Sequence, residues 1–128
     1  MGISGPDGTA ARSWYESEQM PVFAWSSMGR GFFSGRLTRE NYAEVGDGAC
    51  VRAFCHEQNF RRLDRARELA ERKGATIPQI ALAYVMRQKM NMFAIVGAEN
   101  RDELVANDTT LAFELTPEEC AWLNLESD

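Results

Sequence analysis

The chain has 128 residues, 45 % of them hydrophobic and 26 % charged, with a formal charge of −5 and a pI near 4.9. That length allows one domain with one core, burying about two-thirds of the surface its unfolded form exposes. The acidic balance argues against a general attraction to nucleic-acid phosphate, no apolar run approaches the ~20 residues of a membrane span, and Cys50, Cys55 and Cys120 with the single His56 make no zinc pattern, so a reducing cytosol is the expected compartment.

Residues 1–6, MGISGP, lack the basic region and apolar core of a secretory leader, and Gly2 reads as loop rather than as an acylation site. Thr9 is expected to cap a helix running to about Gln19, with Ala10, Ala11 and Trp14 on its inner side. Pro21 then opens a strand. Val22, Phe23, Ala24 and Trp25 are bulky and uncharged, which suits a parallel strand buried on both faces. The strand runs into SSMGRGFFSG at residues 26–35, where serines and glycines let backbone N–H groups come close to an anion. Beyond it, residues 38–44 read as a short helix, residues 45–48 as a turn, and residues 50–56 as another short helical piece.

From Asn59 the periodicity sharpens. Phe60, Leu63, Ala66 and Ala70 recur at helical spacing between Arg61, Arg62, Arg65, Arg67, Glu68, Glu71 and Arg72, and Gly74 is the expected stop. Thr76 caps the next helix, with Pro78 in its first turn and Ile77, Ile80, Ala81, Tyr84 and Val85 on one apolar face, ending near Lys89. A second strand over residues 92–96 runs into Gly97, a helix follows over residues 100–108, and Thr116 with Glu119 forms a capping box for a helix that carries Trp122. No internal repeat or low-complexity tract interrupts this order. Alternating strands and helices predict a parallel α/β sheet covered by helices, but two strands are too few for a whole one, so the chain reads as a sector of a larger fold that another chain completes or that is truncated.

Three segments in register carry a family resemblance: VFAWSSMGRGFFSG at residues 22–35, ATIPQIALAYV at residues 75–85, and residues 95–107 beginning IVGA. Over about residues 20–125 the chain resembles the aldo-keto reductase superfamily. The resemblance implies the C-terminal portion of a (β/α)8 TIM barrel, about strands 7 and 8 with their helices, helix-rich in isolation, with a remnant of the sixth strand near Ile3 and Ser4. The whole of residues 1–128 is then one partial barrel holding the cofactor-binding portion.

The resemblance further implies a nicotinamide dinucleotide as partner, NADP(H) by family preference and NAD(H) as the alternative. Trp25 matches the aromatic position that stacks on the nicotinamide ring. Ser26, Met28, Gly29 and Arg30 match the pyrophosphate loop, Gly97, Arg101 and Glu103 lie in the segment near the ribose and its 2′-phosphate, and Asn107 matches the asparagine that reads the adenine edge. Two positions depart from the family. Gly97 and Ala98 replace a common lysine-serine pair, and Glu103 stands where an arginine or glutamine is usual. A carboxylate repels a 2′-phosphate yet accepts a hydrogen bond from a free ribose hydroxyl, which keeps NAD(H) in view, while Arg101 favours NADP(H).

The family's aspartate, tyrosine, lysine and histidine tetrad lies on earlier strands, and Tyr15, Tyr42 and Tyr84 do not match its tyrosine, so the chain alone is expected to be catalytically silent. A second reading from another class is a noncatalytic truncated module that self-associates through exposed strand edges and helix faces. Bland readings stand beside the sharp ones: His56 as a solvent-exposed structural residue, Trp122 as core, the arginine-rich run at residues 61–72 as a solvated face, and the cysteines as small buried hydrophobes.

Overall fold

The computed structural model describes residues 8–127; the expectations for Gly2 and for a strand remnant at Ile3 and Ser4 lie outside them. The elements in chain order are α1 (Thr9–Glu18), β1 (Val22–Ala24), a 3-10 turn (Phe32–Ser34), α2 (Tyr42–Val45), α3 (Gly48–Phe54), α4 (Glu57–Lys73), α5 (Ile77–Met86), β2 (Met92–Ala94), α6 (Arg101–Thr109), a second 3-10 turn (Thr110–Ala112) and α7 (Pro117–Leu123). β1 and β2 pair in parallel, Val22 opposite Met92, Phe23 opposite Phe93 and Ala24 opposite Ala94. A parallel pair cannot be closed by a hairpin, and here the crossover runs through α2 to α5.

α4 and α5 form the centre, and their local sequence explains why. α4 buries Phe60, Leu63, Ala66, Leu69 and Ala70 along one stripe and ends where Gly74, at φ 63°, takes the left-handed conformation and returns its N–H to the last turn. α5 begins with the reciprocal bonds of a capping box, the Gln79 N–H reaching the Thr76 hydroxyl while the Gln79 amide oxygen takes the Thr76 N–H at 2.9 Å. Its expected face is too narrow: Leu82 and Ala83 are buried with Ile80 and Ala81, because α5 has α4 against one side and β2 with α6 against others. α5 ends at Met86, before the expected Lys89.

Two apolar clusters hold the chain together. One joins Ala66, Leu69 and Ala70 of α4 to Ile80 and Ala83 of α5 and to Leu115 and Leu123. α7 opens on its own capping box, Thr116 with Glu119, and is locked to α4 by Arg65, which donates to the carbonyls of Trp122 and Ser127. The guanidinium groups of Arg65 and Arg72 both lie 5.0 Å from the Trp122 ring, so Trp122 is a partly buried plate under two cations as well as a core contact. The second cluster, Phe32, Leu37, Cys50, Phe60 and Leu63, lies beneath the glycine-rich turn. Outside it, Arg39 bridges Glu57 and Asp64 across the exposed side of α4, a solvated ion network on the arginine-rich face.

Several expectations are corrected. Gly8 caps α1, with Thr9 already helical, and α1 buries none of its residues: of the expected inner positions Ala10 and Trp14 (46 %) are exposed and only Ala11 is half-buried. Its fixed point is the C-terminal Gln19, whose Nε2 donates to the Lys89 carbonyl at 3.0 Å while Asn91 Nδ2 donates to the Gln19 carbonyl. The strands are shorter than read and are not buried on both faces. Phe23 is 66 % exposed and Trp25 79 %, with Phe93 and Ile95 on the same side, because helices cover only the face formed by Val22, Ala24, Met92 and Ala94. α2 starts at Tyr42, four residues late, since Thr38 and Asn41 spend their side chains on a local turn, the Thr38 N–H reaching Asn41 Oδ1 at 2.7 Å. Of the cysteines only Cys50 is fully buried.

Candidate functional site

The parallel register brings the C-terminal tips of β1 and β2 side by side. Beyond the ladder the Ile95 N–H still bonds the Ala24 carbonyl at 3.0 Å, and the Ser27 hydroxyl lies 2.8 Å from the Ala24 carbonyl and 3.2 Å from that of Ile95. Trp25 therefore stands beside the segment that leads into Gly97. Ser27 is the residue that sequence reasoning passed over; the signal was a hydroxyl placed just beyond a strand end, where free carbonyls need donors.

After Trp25 the backbone enters the left-handed region repeatedly, at Ser26 (φ 54°), Gly29 (φ 63°), Arg30 (φ 53°) and Gly31 (φ 86°). Glycine is required at position 29, where a Cβ would add the strain of positive φ to contacts of 3.2 Å with Phe32 and 3.4 Å with Phe54. The turn is braced by Gly29 N–H to Ser26 O, Phe32 N–H to Gly29 O and Phe33 N–H to Met28 O. The N–H groups of Met28, Arg30 and Gly31 have no partner among the described residues, so three backbone donors of this turn are open to an acceptor such as an anion. Arg30 adds positive charge at the rim, its Nε 3.5 Å from Asp47. Asp47 is a true cap, taking the N–H groups of Ala49 and Cys50, and these bonds, with a smaller contribution from Arg30, hold its carboxyl below the usual range.

On the β2 side, Gly97 is exposed with open space where a Cβ would stand. α6 follows with Asn100 as its cap, and Glu103 folds back so that its Oε2 takes the Glu99 N–H at 2.9 Å. Glu103 thus has a local structural use, while the first-turn amides of Arg101 and Asp102 remain without intrahelical acceptors. Asn107 lies about 9 Å further along the helix axis than Arg101. It lines an apolar groove with Leu82, Met86, Ala94, Val96 and Leu104. Trp25, Ser26, Met28, Gly29 and Arg30 thus cluster at one strand tip and Gly97 follows the other; Arg101 and Glu103 occupy the N-terminal turn of α6, and Asn107 is set apart from them.

His56 is exposed at the start of α4. Among the described residues no group of histidine, cysteine or acidic side chains is arranged to hold a metal ion, and no helix is long and apolar enough to cross a membrane.

A parallel strand pair with a glycine-rich turn at one tip and a capped helix after the other is what the comparisons with known proteins bear on. The aldo/keto reductase family matches residues 11–124, and the chain belongs to that family. It is 31 % identical over 106 residues to norsolorinic acid reductase of Emericella nidulans, covering 81 % of this chain and 26 % of that protein. It is 30 % identical over 106 residues to versiconal hemiacetal acetate reductase of Aspergillus parasiticus, covering 80 % of this chain and 31 % of that protein. An aldo-keto reductase of Gibberella moniliformis is 46 % identical over 61 residues, covering 48 % of this chain and 18 % of that protein. The chain spans less than a third of the length of each of these relatives.

Proposed function

We propose that the chain is the cofactor-binding C-terminal portion of an NAD(P)H-dependent aldo-keto reductase, corresponding to about strands 7 and 8 of the barrel. The observation that carries this reading is the parallel pairing of β1 with β2, which brings Ser27, at the start of the turn holding the unpartnered amides of Met28, Arg30 and Gly31, against Ile95, two residues before Gly97. When bound, a nicotinamide dinucleotide supplies the hydride that reduces a carbonyl. The chain's own part is to hold that group: Trp25 offers an exposed flat ring for stacking, Ser26, Met28, Gly29 and Arg30 face its phosphates, Gly97, Arg101 and Glu103 face the ribose, and Asn107 reads the adenine edge.

The donor set suits an anion in kind, with free amides and a guanidinium at the turn, while Glu103 weighs toward NAD(H) and Arg101 toward NADP(H). In this reading none of the tyrosines among the described residues, Tyr15, Tyr42 and Tyr84, matches the family's proton donor. Tyr84 is packed into the helical core, and burial pushes its phenol up, away from the tuned acid such a step needs. The chain alone is accordingly silent in catalysis. Titration with NADPH and with NADH, followed by tryptophan fluorescence, tests the reading: a saturable change supports it, and its absence with both nucleotides contradicts it.

A second reading is favoured by one observation. The Phe23 and Phe93 rings stack 5.3 Å apart on the uncovered sheet face, both exposed, beside Trp25 and Ile95. Such a face on a noncatalytic module would self-associate, and this reading is compatible with the first.

A further inference from the structure

Trp25 belongs to two surfaces. Just past β1, its ring is the one proposed to stack on a nicotinamide, and it also completes the uncovered sheet face with Phe23, Phe93 and Ile95. Trp25 is 79 % exposed, Phe23 66 %, Phe93 47 % and Ile95 50 %. They form one patch: the Phe23 and Phe93 rings lie 5.3 Å apart, and the Ile95 N–H bonds the carbonyl of Ala24, which stands between Phe23 and Trp25. Neither residues 20–29 nor residues 90–98 contain a charged side chain, so the strands bring no charge to be stripped of water. The backbone beneath the ring is braced, with the Ser27 hydroxyl between the Ala24 and Ile95 carbonyls and the Cys50 thiol donating to the Gly29 carbonyl at 3.6 Å.

Area decides what such a patch can do. With aromatic side chains of about 150–250 Å² each, the four exposures leave about 500 Å² open per copy, about 200 Å² of it from Trp25. Two copies laid face to face about a two-fold axis cover about 1,000 Å², the least that a specific interface needs. Like rings against like rings make the patch its own complement. Without Trp25 the covered area falls to about 600 Å², the size of an incidental contact. We propose that the sheet face pairs with the same face of a second copy, and that a nicotinamide dinucleotide separates the pair by covering Trp25. Resting on both readings above, this exclusion means that each holds for the chain but never on one copy at once. Linkage makes the effect reciprocal: a ligand confined to the monomer weakens pairing, and pairing weakens the ligand.

Sedimentation velocity of the whole chain over a concentration series, with and without NADPH or NADH, tests this, and equilibrium dialysis of the same samples reads bound nucleotide independently. With free nucleotide at about tenfold its dissociation constant for dilute chain, the pair should dissociate about 100-fold more readily, a factor of about ten for each copy. Wild type should also bind nucleotide less tightly as chain concentration rises. The double variant Phe23→Glu with Phe93→Lys, altered outside the proposed nucleotide contacts, should stay monomeric and bind it equally at every concentration. Adenosine diphosphate at equal occupancy, carrying the pyrophosphate without the nicotinamide, should leave the pair intact; equal release by it would overturn the part given to Trp25. Nucleotide retained in dialysis with unchanged sedimentation would overturn the exclusion and leave both readings standing. Neither nucleotide retained would overturn it together with the cofactor reading. A chain monomeric at every concentration would overturn it together with self-association, and leave the face to a different polypeptide.

Discussion

Ser27 ties its own turn to the neighbouring strand: its hydroxyl lies 3.2 Å from the Ile95 carbonyl and 2.8 Å from that of Ala24, so one side chain spans both strand tips. Replacing it with alanine removes the one O–H that the two carbonyls share, while Ala24 keeps the Ile95 N–H and the β-ladder stays intact. Ser27→Ala is expected to lower stability by about 1 kcal/mol. It should weaken NADPH binding about fivefold, the equivalent of the same energy. Urea denaturation and nucleotide titration on the same samples check both, and a variant with unchanged binding would show that the tips do not act as a unit.

Glu103 sets the choice between the two dinucleotides. Its carboxylate now serves the Glu99 amide, at the turn where a ribose 2′-substituent is proposed to lie. Glu103→Arg replaces a repulsive charge with an attractive one at that point, and the ratio of NADPH to NADH affinity should rise by about tenfold or more, a modest charge-reversal effect of about 1.4 kcal/mol. An unchanged ratio places Glu103 away from the ribose.

Asp47 contributes to the acid limb of stability, beside Glu40, Glu57 and Glu118, which are also held below their usual range. The Cys50 and Ala49 amides, and Arg30 after them, hold its folded-state carboxyl below the unfolded value of about 3.9. A depressed carboxyl contributes stability that is complete above the unfolded value and is lost as pH falls through the folded one. Asp47→Asn keeps an acceptor for the cap but cannot titrate, so the fall of unfolding free energy below about pH 4 should be shallower than in wild type. Urea unfolding followed by circular dichroism at several acidic pH values measures that slope; an equal slope would remove Asp47 from the account.

The helical framework was legible because its signals are local. Thr76 with Gln79 and Thr116 with Glu119 form the reciprocal capping bonds that their spacing announces, and Gly74 stops α4 in the left-handed conformation. The strand pairing was legible too, from two apolar runs, one entering the serine- and glycine-rich loop at Ser26 and the other ending at Gly97. Burial was not. Phe23 and Trp25 have the composition of a buried strand, and composition records the environment of a whole fold rather than of the piece that presents it; here the covering layer lies on one side alone. The same reason undoes the inner face of α1, where Trp14 touches Tyr15 edge-on and faces solvent. Ser27 and the Cys50–Gly29 bond escaped because each depends on a partner brought near only by folding, 68 and 21 residues away in sequence.

The uncovered aromatic face carries its own consequence. Phe23 and Phe93 stack in the open, and burying them against a second copy would remove apolar surface from water. Wild-type chain is expected to sediment as a dimer or larger species at high micromolar concentration, and the double variant Phe23→Glu with Phe93→Lys as a monomer. A monomeric wild type would end the self-association reading while leaving nucleotide binding untouched.

The central claim is that the turn after β1 and the segment after β2 grip one dinucleotide together. Adding NADPH to isotopically labelled chain while following its amide NMR resonances tests this most directly. The account predicts that residues 26–31 and residues 97–103 shift together along a single saturation curve. Shifts confined to one segment, or none in either, would contradict it.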